Sequence, residues 1–100
     1  MEFLDREGKL IAAEVWSRLH KDRKYKFVAE TKVLGGEIVS SWLGRDASCS
    51  HYSDGAGRAL IFGTILRMDD GEWGRESFSA TLTQCLAEHK ARVESAGSLG

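Results

Sequence analysis

The sequence predicts an α+β fold in which an antiparallel sheet of about four strands carries two helices packed on one face. Two β-rich runs are joined by Gly35 and Gly36, a pair typical of a tight hairpin turn. A nearly continuous apolar run follows residue 58, and apolar positions recur at helical spacing near both ends of the chain. At 100 residues and 42% hydrophobic content, the chain has apolar material for one core. We therefore expect a single α+β domain over 1–96 and a flexible tail over 97–100.

Two helices are predicted, one towards each end of the chain. The first covers 12–21, where apolar residues including Trp16 recur at helical spacing. No Ser, Thr, Asp or Asn stands at its N-cap, so packing of Trp16 must stabilise it. The second helix should begin after Thr81, which forms a capping box with Gln84, and should end at Gly97. Its predicted apolar face comprises Leu82, Cys85, Leu86, His89 and Val93.

The strands are predicted over 25–34, 37–43, 58–68 and 72–78, after a small N-terminal hairpin in "EFLDREGKLI". With Gly35 and Gly36 as the turn, Val33 faces Ile38, Thr31 faces Ser40 and Ala29 faces Trp42. In this register, the residues on the core face of the hairpin are Tyr25, Phe27, Val33, Ile38 and Trp42. We expect the core to be shared by Trp16, Phe27, Trp42, Ile61 and Leu86.

Charge and cysteine content exclude several classes of protein. Fourteen basic against fifteen acidic residues give no overall basic surface, so a nucleic-acid partner is not expected. The start "MEFLDREGKL" is charged where a signal peptide is apolar, and no run approaches the roughly 20 apolar residues of a membrane helix. Cys49 and Cys85 are too few for a disulfide scaffold, so both are expected as free thiols. These features predict a soluble intracellular protein with no membrane partner.

The polar loop over 44–57 is the first candidate for a site. Asp46, Cys49, His51 and Asp54 are residue types that zinc accepts as ligands. No Cys-x-x-Cys or His-x-x-x-His pair pre-organises two of them, and ordering such a loop costs entropy. Cys49 and His51 also lack a fixed geometry and a third group for nucleophilic catalysis. The composition therefore favours a solvated surface loop.

A protein-binding surface is better supported than a catalytic centre. Arg, Tyr and Trp are enriched at protein interfaces. The predicted binding residues are Arg45, Asp46, His51, Tyr52, Arg58, Trp73 and Arg75. No catalytic residue, metal or cofactor is predicted. His89 is interpreted as a structural histidine that finds hydrogen-bond partners at the core, and the cations of "KDRKYK" as a solvated helix end.

Six segments are spread along nearly the whole chain, from residue 3 to residue 94: "FLDREGKLI", "EVWSRL", "YKFVAETKV", "IVSSWLGRD", "ALIFGTIL" and "AEHKARVE". They resemble a widespread family of short uncharacterised proteins encoded by bacteriophages, prophages and actinobacterial genomes. The Ser-Trp-Leu-Gly-x-Asp and Leu-Ile-Phe-x-Thr pieces are the most specific. The resemblance implies a phage or mobile-element accessory protein made in the cytoplasm of a bacterial host.

The polar positions of that family are only partly kept in this chain. Asp46 and His89 match, whereas Ala47, Gly63 and Lys90 stand where the family pattern has His, Glu and Glu. If these groups form a metal or acid–base site in relatives, too few donors remain here to close it. The departure argues against an enzyme.

Two functions of different classes follow. The first is stoichiometric binding of a bacterial host protein complex, as in an anti-CRISPR-like inhibitor of a defence complex. The alternative is a small-ligand or metal-binding module that uses the 44–57 loop, with Asp46, His51 and His89 drawn together.

Overall fold

The computed structural model describes residues 3–44 and 60–97, which form a mixed α+β domain. The elements are β1 (Phe3–Leu4), β2 (Leu10–Ile11), α1 (Ala13–His20), α2 (Arg23–Lys26), β3 (Phe27–Val33), β4 (Gly36–Trp42), β5 (Phe62–Met68), β6 (Ser77–Ser79) and α3 (Leu82–Ala96). Strands β3 to β6 form one antiparallel sheet in chain order, and β1 pairs with β2 in a separate ribbon. The predicted fold class and its four-stranded antiparallel sheet are confirmed.

The sheet has two chemically different faces. We call the face that carries Val33, Ile38, Ser40, Trp42, Phe62 and Thr64 the core face. Helix α3 packs on it through Cys85 and His89, and α1 reaches it through Trp16, whose ring centroid lies 6.5 Å from that of Trp42. We call the opposite face the open face; it carries Phe27, Glu30, Val39, Ser41, Ile65 and Arg67.

The centre of the core is formed by Trp42, Ile61, Phe62 and Cys85, each at most 1% exposed. Trp16 packs against this cluster and is partly buried. The prediction that Leu86 belongs to the core is wrong, because its side chain is 43% exposed. Cys85 and His89 are the buried residues of α3.

The hairpin β3–β4 differs from its predicted register. Val33 pairs with Gly36, Thr31 with Ile38 and Ala29 with Ser40, so every partner is shifted by two residues. The two turn residues are Leu34 and Gly35. Gly35 has a φ of +83°, a conformation that favours glycine, whereas Gly36 is the first residue of β4. A side chain at Gly36 would also clash with the backbone of β5.

A β-bulge explains a second correction. Between Phe27 and Ala29 the pairing advances by one residue on β4 and by two on β3, which leaves Val28 as the extra residue. Phe27 therefore pairs with Ser41 and lies on the open face, not in the core. Tyr25, predicted to start the strand, belongs to the short helix α2, although its ring still contacts Trp42 edge-on.

The last strand is shorter than predicted. Ordered pairing with β5 is limited to Ser77–Ser79, preceded by an isolated bridge between Arg67 and Trp73. The other expected local signals are confirmed. Ala12 caps α1 without a side-chain bond, Thr81 Oγ1 accepts a hydrogen bond from Gln84 N at 3.1 Å, and Gly97 ends α3 with a φ of +86°.

Candidate functional site

A groove of about 390 Å³ runs across the open face of the sheet. Its floor is apolar and is made by Val39, Leu43 and Ile65, and Ser41 adds one hydroxyl. Val39 is only 6% exposed because longer side chains stand around it. The groove therefore combines a partly desolvated apolar floor with a rim of aromatic and charged groups.

One wall of the groove is cationic and aromatic. Asp22 caps α2 by accepting a hydrogen bond from Lys24 N at 3.0 Å, and this turn brings Arg23 and Lys26 beside Phe27. The Arg23 guanidinium carbon and the Lys26 Nζ lie 4.8 and 5.5 Å from the Phe27 ring centroid. Both distances are within the range of cation–π attraction.

The bulge at Val28 is what directs Phe27 into this wall. Within residues 3–44 and 60–97, neither Arg23 nor Lys26 forms an ion pair. No described carboxylate lies within ion-pair distance of these two positive charges, although Glu30 and Glu76 also line the groove.

The opposite wall is formed by Trp73, Arg67 and Glu76. Trp73 is 59% exposed, although its backbone is held by the bridge to Arg67. Arg67 forms an ion pair with Glu37 on the neighbouring strand. The Glu76 carboxylate lies over Gly63, where a Cβ would be 2.5 Å from Glu76 Oε2, and partial burial raises the pKa of Glu76.

Arg92 links β5 to the segment that precedes β6. Its guanidinium donates to the Thr64 carbonyl oxygen and to the Arg75 carbonyl oxygen, both at 2.7 Å. One side chain of α3 therefore bridges the paired residue Thr64 of β5 and the segment before β6. The Arg75 side chain, a predicted binding residue, is exposed, while its backbone serves this bridge.

A row of buried, hydrogen-bonded polar groups lies between α3 and the core face of the sheet. His89 Nε2 is 2.9 Å from Thr31 Oγ1, and His89 Nδ1 is 2.8 Å from Ser40 Oγ. Ser40 Oγ is in turn 2.7 Å from Thr64 Oγ1, which lies 3.8 Å from the Cys85 sulfur. Both ring nitrogens of the imidazole are thus satisfied by hydroxyl groups.

This chain of groups has the properties of a structural network. His89 is 7% exposed, and burial lowers its pKa, which favours the neutral ring. Burial also raises the pKa of the Cys85 thiol, which is fully buried, so the reactive thiolate is disfavoured. The interpretation of His89 as a hydrogen-bonded core histidine agrees with these contacts.

Several predicted site residues lie outside the described residues. These are Arg45, Asp46, His51, Tyr52 and Arg58, together with Cys49 and Asp54. Among the described residues, no group of three or more His, Cys, Asp and Glu side chains could hold a metal ion. In the same part of the chain, no helix is both long and apolar enough to cross a membrane.

The polar positions suggested by the family resemblance do not converge where they are described. His89 lies on α3 and contacts the core face of the sheet. Gly63 pairs with Ser41 and Phe78 and lies on the open face. The sheet separates the two positions. Lys90 is exposed on α3.

Comparison with known protein families, with curated proteins and with solved structures finds no match for the chain. The groove residues Arg23, Lys26 and Phe27 were not among the predicted binding residues. The signal that could have revealed them is the alternation of cations with aromatic residues in "KDRKYKF". Of the two predicted binding residues that the structure describes, Trp73 lines the groove and Arg75 does not.

Proposed function

We propose that the protein is a stoichiometric protein-binding module of phage accessory type, which engages a bacterial host complex through the groove on its open face. The observation that carries the proposal is the half-exposed Trp73 on one wall of the groove, opposite the cationic Phe27 wall. Trp and Arg that become desolvated at an interface contribute more binding energy than other residues.

The charges of the groove favour a partner surface with carboxylates. Arg23 and Lys26 have no ion pair among the described residues, so a partner's acidic groups could pair with them without breaking an existing ion pair. The apolar floor would accept an aliphatic or aromatic side chain of the same partner. An inhibitor of a bacterial defence complex, such as a CRISPR effector, would act by occupying a surface of this kind.

The buried network supports a binding role over an enzymatic one. The described His and Cys side chains with shifted pKa values, His89 and Cys85, face the core, where substrate has no access. Stoichiometric binding needs no activated nucleophile or general base.

The test is capture of partners from a bacterial lysate by the tagged full chain at physiological salt, followed by mass spectrometry and affinity measurement with the purified partner. Trp73→Ala should weaken binding by about thirtyfold, equivalent to about 2 kcal/mol at an interface centre. Leu10→Ala is the matched control, because Leu10 is 65% exposed on a different surface. Undiminished binding by Trp73→Ala, or the absence of any captured complex, would contradict the proposal.

A second variant locates the interface if the groove is not used. Arg45→Ala combined with Tyr52→Ala removes the predicted loop contacts. Loss of binding in this variant alone would move the interface to the 44–57 loop. Addition of equimolar protein to a purified CRISPR effector in a DNA-cleavage assay then tests the defence-inhibitor role directly.

The small-ligand or metal alternative has a separate test. Elemental analysis and thermal shift with divalent metals should show bound metal or a raised melting temperature if the 44–57 loop forms a site. We expect neither.

A further inference from the structure

The groove on the open face crosses the strands of the sheet. Phe27 on β3, Ser41 on β4 and Gly63 on β5 stand directly opposite one another in the observed register, and all three lie on the open face. Neighbouring strands are about 4.8 Å apart, so this series of positions extends about 10 Å from Phe27 to Gly63. A ligand that follows the groove therefore lies across the strands and meets each of them in turn.

The two ends of this series carry opposite charges. Arg23 and Lys26 stand beside Phe27 at the β3 end. At the β5 end, the Glu76 carboxylate lies over Gly63, because glycine leaves the space that a side chain would fill. Glu76 is exposed and forms no ion pair among the described residues, so each end can accept an incoming charge of opposite sign.

Among the described residues, three further ionisable side chains line the groove without cancelling this arrangement. Arg67 is already paired with Glu37, so it leaves the charge of Glu76 uncompensated. Glu30 on β3 adds one carboxylate near the β3 end, where the two cations of α2 remain in excess. His20 adds no negative charge. The net charge is therefore positive at the β3 end and negative at the β5 end.

The middle of the groove is apolar. Val39 and Ile65 form a cross-strand pair on the open face, and together with Leu43 they make the floor. An aliphatic side chain placed on this floor removes apolar surface from water on both sides of the contact, which favours binding in proportion to the area buried. The groove thus offers three subsites in the order cationic, apolar and anionic.

The spacing of the three subsites matches an extended chain. A strand rises about 3.3 Å per residue and directs every second side chain to the same face, so residues i, i+2 and i+4 present three side chains over about 13 Å. A helical segment of that length, about 10–12 Å wide, occupies more than about 1,000 Å³. The groove has a volume of about 390 Å³, which suits the alternate side chains of an extended segment better.

We infer that the groove binds an extended segment of its protein partner in which one acidic and one basic residue flank an apolar residue, each two positions away from it. The acidic side chain contacts Arg23 and Lys26, and the basic side chain pairs with Glu76. The apolar side chain covers Val39 and Ile65. Either chain direction satisfies this arrangement, since only the order of the charges across the groove matters. The inference rests on the proposed function, because it specifies the partner of the same groove.

Titration of the full chain with blocked synthetic peptides, followed by two-dimensional NMR, tests this selectivity. The probe is Gly-Ser-Asp-Ser-Leu-Ser-Lys-Ser-Gly, which should shift the amide resonances of Val39 and Ile65 in a saturable way. Gly-Ser-Ser-Asp-Leu-Lys-Ser-Ser-Gly has the same composition, but in an extended chain its charges point away from the groove. A third peptide replaces Lys of the probe by Asp. Both comparison peptides should bind at least about tenfold more weakly than the probe.

A charge reversal in the protein should reverse the preference. In Glu76→Lys both ends of the groove are cationic, so the peptide with two Asp residues should bind more tightly than the probe. Glu72→Lys is the matched control, because it makes the same charge change at an exposed position that does not line the groove. Glu76→Gln removes the charge with little change of size and should abolish the preference for Lys over Asp. Thermal unfolding checks that each variant folds.

Equal binding of the probe and either comparison peptide would overturn the inference. Tighter binding of a peptide that separates the same three side chains by four residues would show a helical ligand and overturn it too, as would no saturable binding of the probe up to about 5 mM. None of these outcomes decides the proposed function, which falls only if Trp73→Ala captures the host complex undiminished or no complex is captured.

Discussion

Replacement of Trp42 by Ala tests whether the core face is assembled as described. The Trp42 side chain is fully buried, its indole Nε1 donates to the Leu4 carbonyl oxygen at 2.9 Å, and the Tyr25 ring packs edge-on against it. Burial of a Trp removes about 200 Å² from water, which at about 25 cal/mol per Å² corresponds to about 5 kcal/mol. The truncation also leaves the Leu4 carbonyl oxygen without its donor, at a cost of about 1 kcal/mol. Relaxation around the cavity recovers part of this total, and measured Trp-to-Ala losses are about 3–5 kcal/mol.

Urea unfolding followed by far-ultraviolet circular dichroism measures this loss without relying on tryptophan fluorescence. A domain of this size has a free energy of unfolding of about 5–15 kcal/mol, so Trp42→Ala should lose a large part of it and unfold at a clearly lower urea concentration than the parent chain. Trp73→Ala is the control, because its side chain is 59% exposed and its removal should change stability by about 0.5 kcal/mol or less. A Trp42→Ala loss below about 2 kcal/mol would refute the described packing of the core face.

Three further outcomes are expected. Burial lowers the pKa of His89 in the folded state, so the folded protein disfavours the protonated ring. The free energy of unfolding should therefore be fully present above about pH 6.5 and fall as the pH drops below that value. The urea midpoint, followed from pH 8 to pH 5, should drop less steeply in His89→Gln than in the parent chain. Gly44→Ala should lower the melting temperature by several degrees, because Gly44 has a φ of +72° and a Cβ there would lie 2.5 Å from the Trp16 indole nitrogen; an unchanged melting curve would contradict this contact. Arg92→Ala should cost about 2 kcal/mol by removing charge-assisted bonds to backbone carbonyls such as that of Thr64, and hydrogen exchange should accelerate in β6 more than in β3.

Local signals in the sequence were sufficient for much of the fold. Thr81 and Gln84 predict the start of α3 because a capping box acts within four residues. The N-terminal hairpin follows from the turn at Asp5, whose carboxylate accepts hydrogen bonds from the backbone of Glu7 and Lys9. Alternation of apolar residues placed Trp42 correctly in the core.

The features that position the groove arise from long-range contacts or from irregular pairing. A single extra residue at Val28 reverses the side on which Phe27 emerges, and no alternation pattern contains that information. The link between β5 and the segment before β6 is made by Arg92, which is far from both in sequence. A register error of two residues also leaves every side chain on its correct face, so hydrophobic patterning cannot detect it.

The buried imidazole of His89 resolves this ambiguity, because the spacing of its two hydrogen bonds fits the observed register of β3 and β4. Thr31 and Ser40 are diagonal neighbours in the observed pairing, and diagonal positions are about 7–8 Å apart, a gap that a ring with one hydrogen bond on each side can span. If β3 and β4 paired two residues out of step, the two hydroxyls would stand directly opposite at about 5 Å, and the ring would no longer fit between them. His89 thus distinguishes two arrangements that bury the same apolar residues. Loss of the ring should therefore appear first as doubled amide resonances from the hairpin, reporting two coexisting alignments, before it appears as a lower melting temperature.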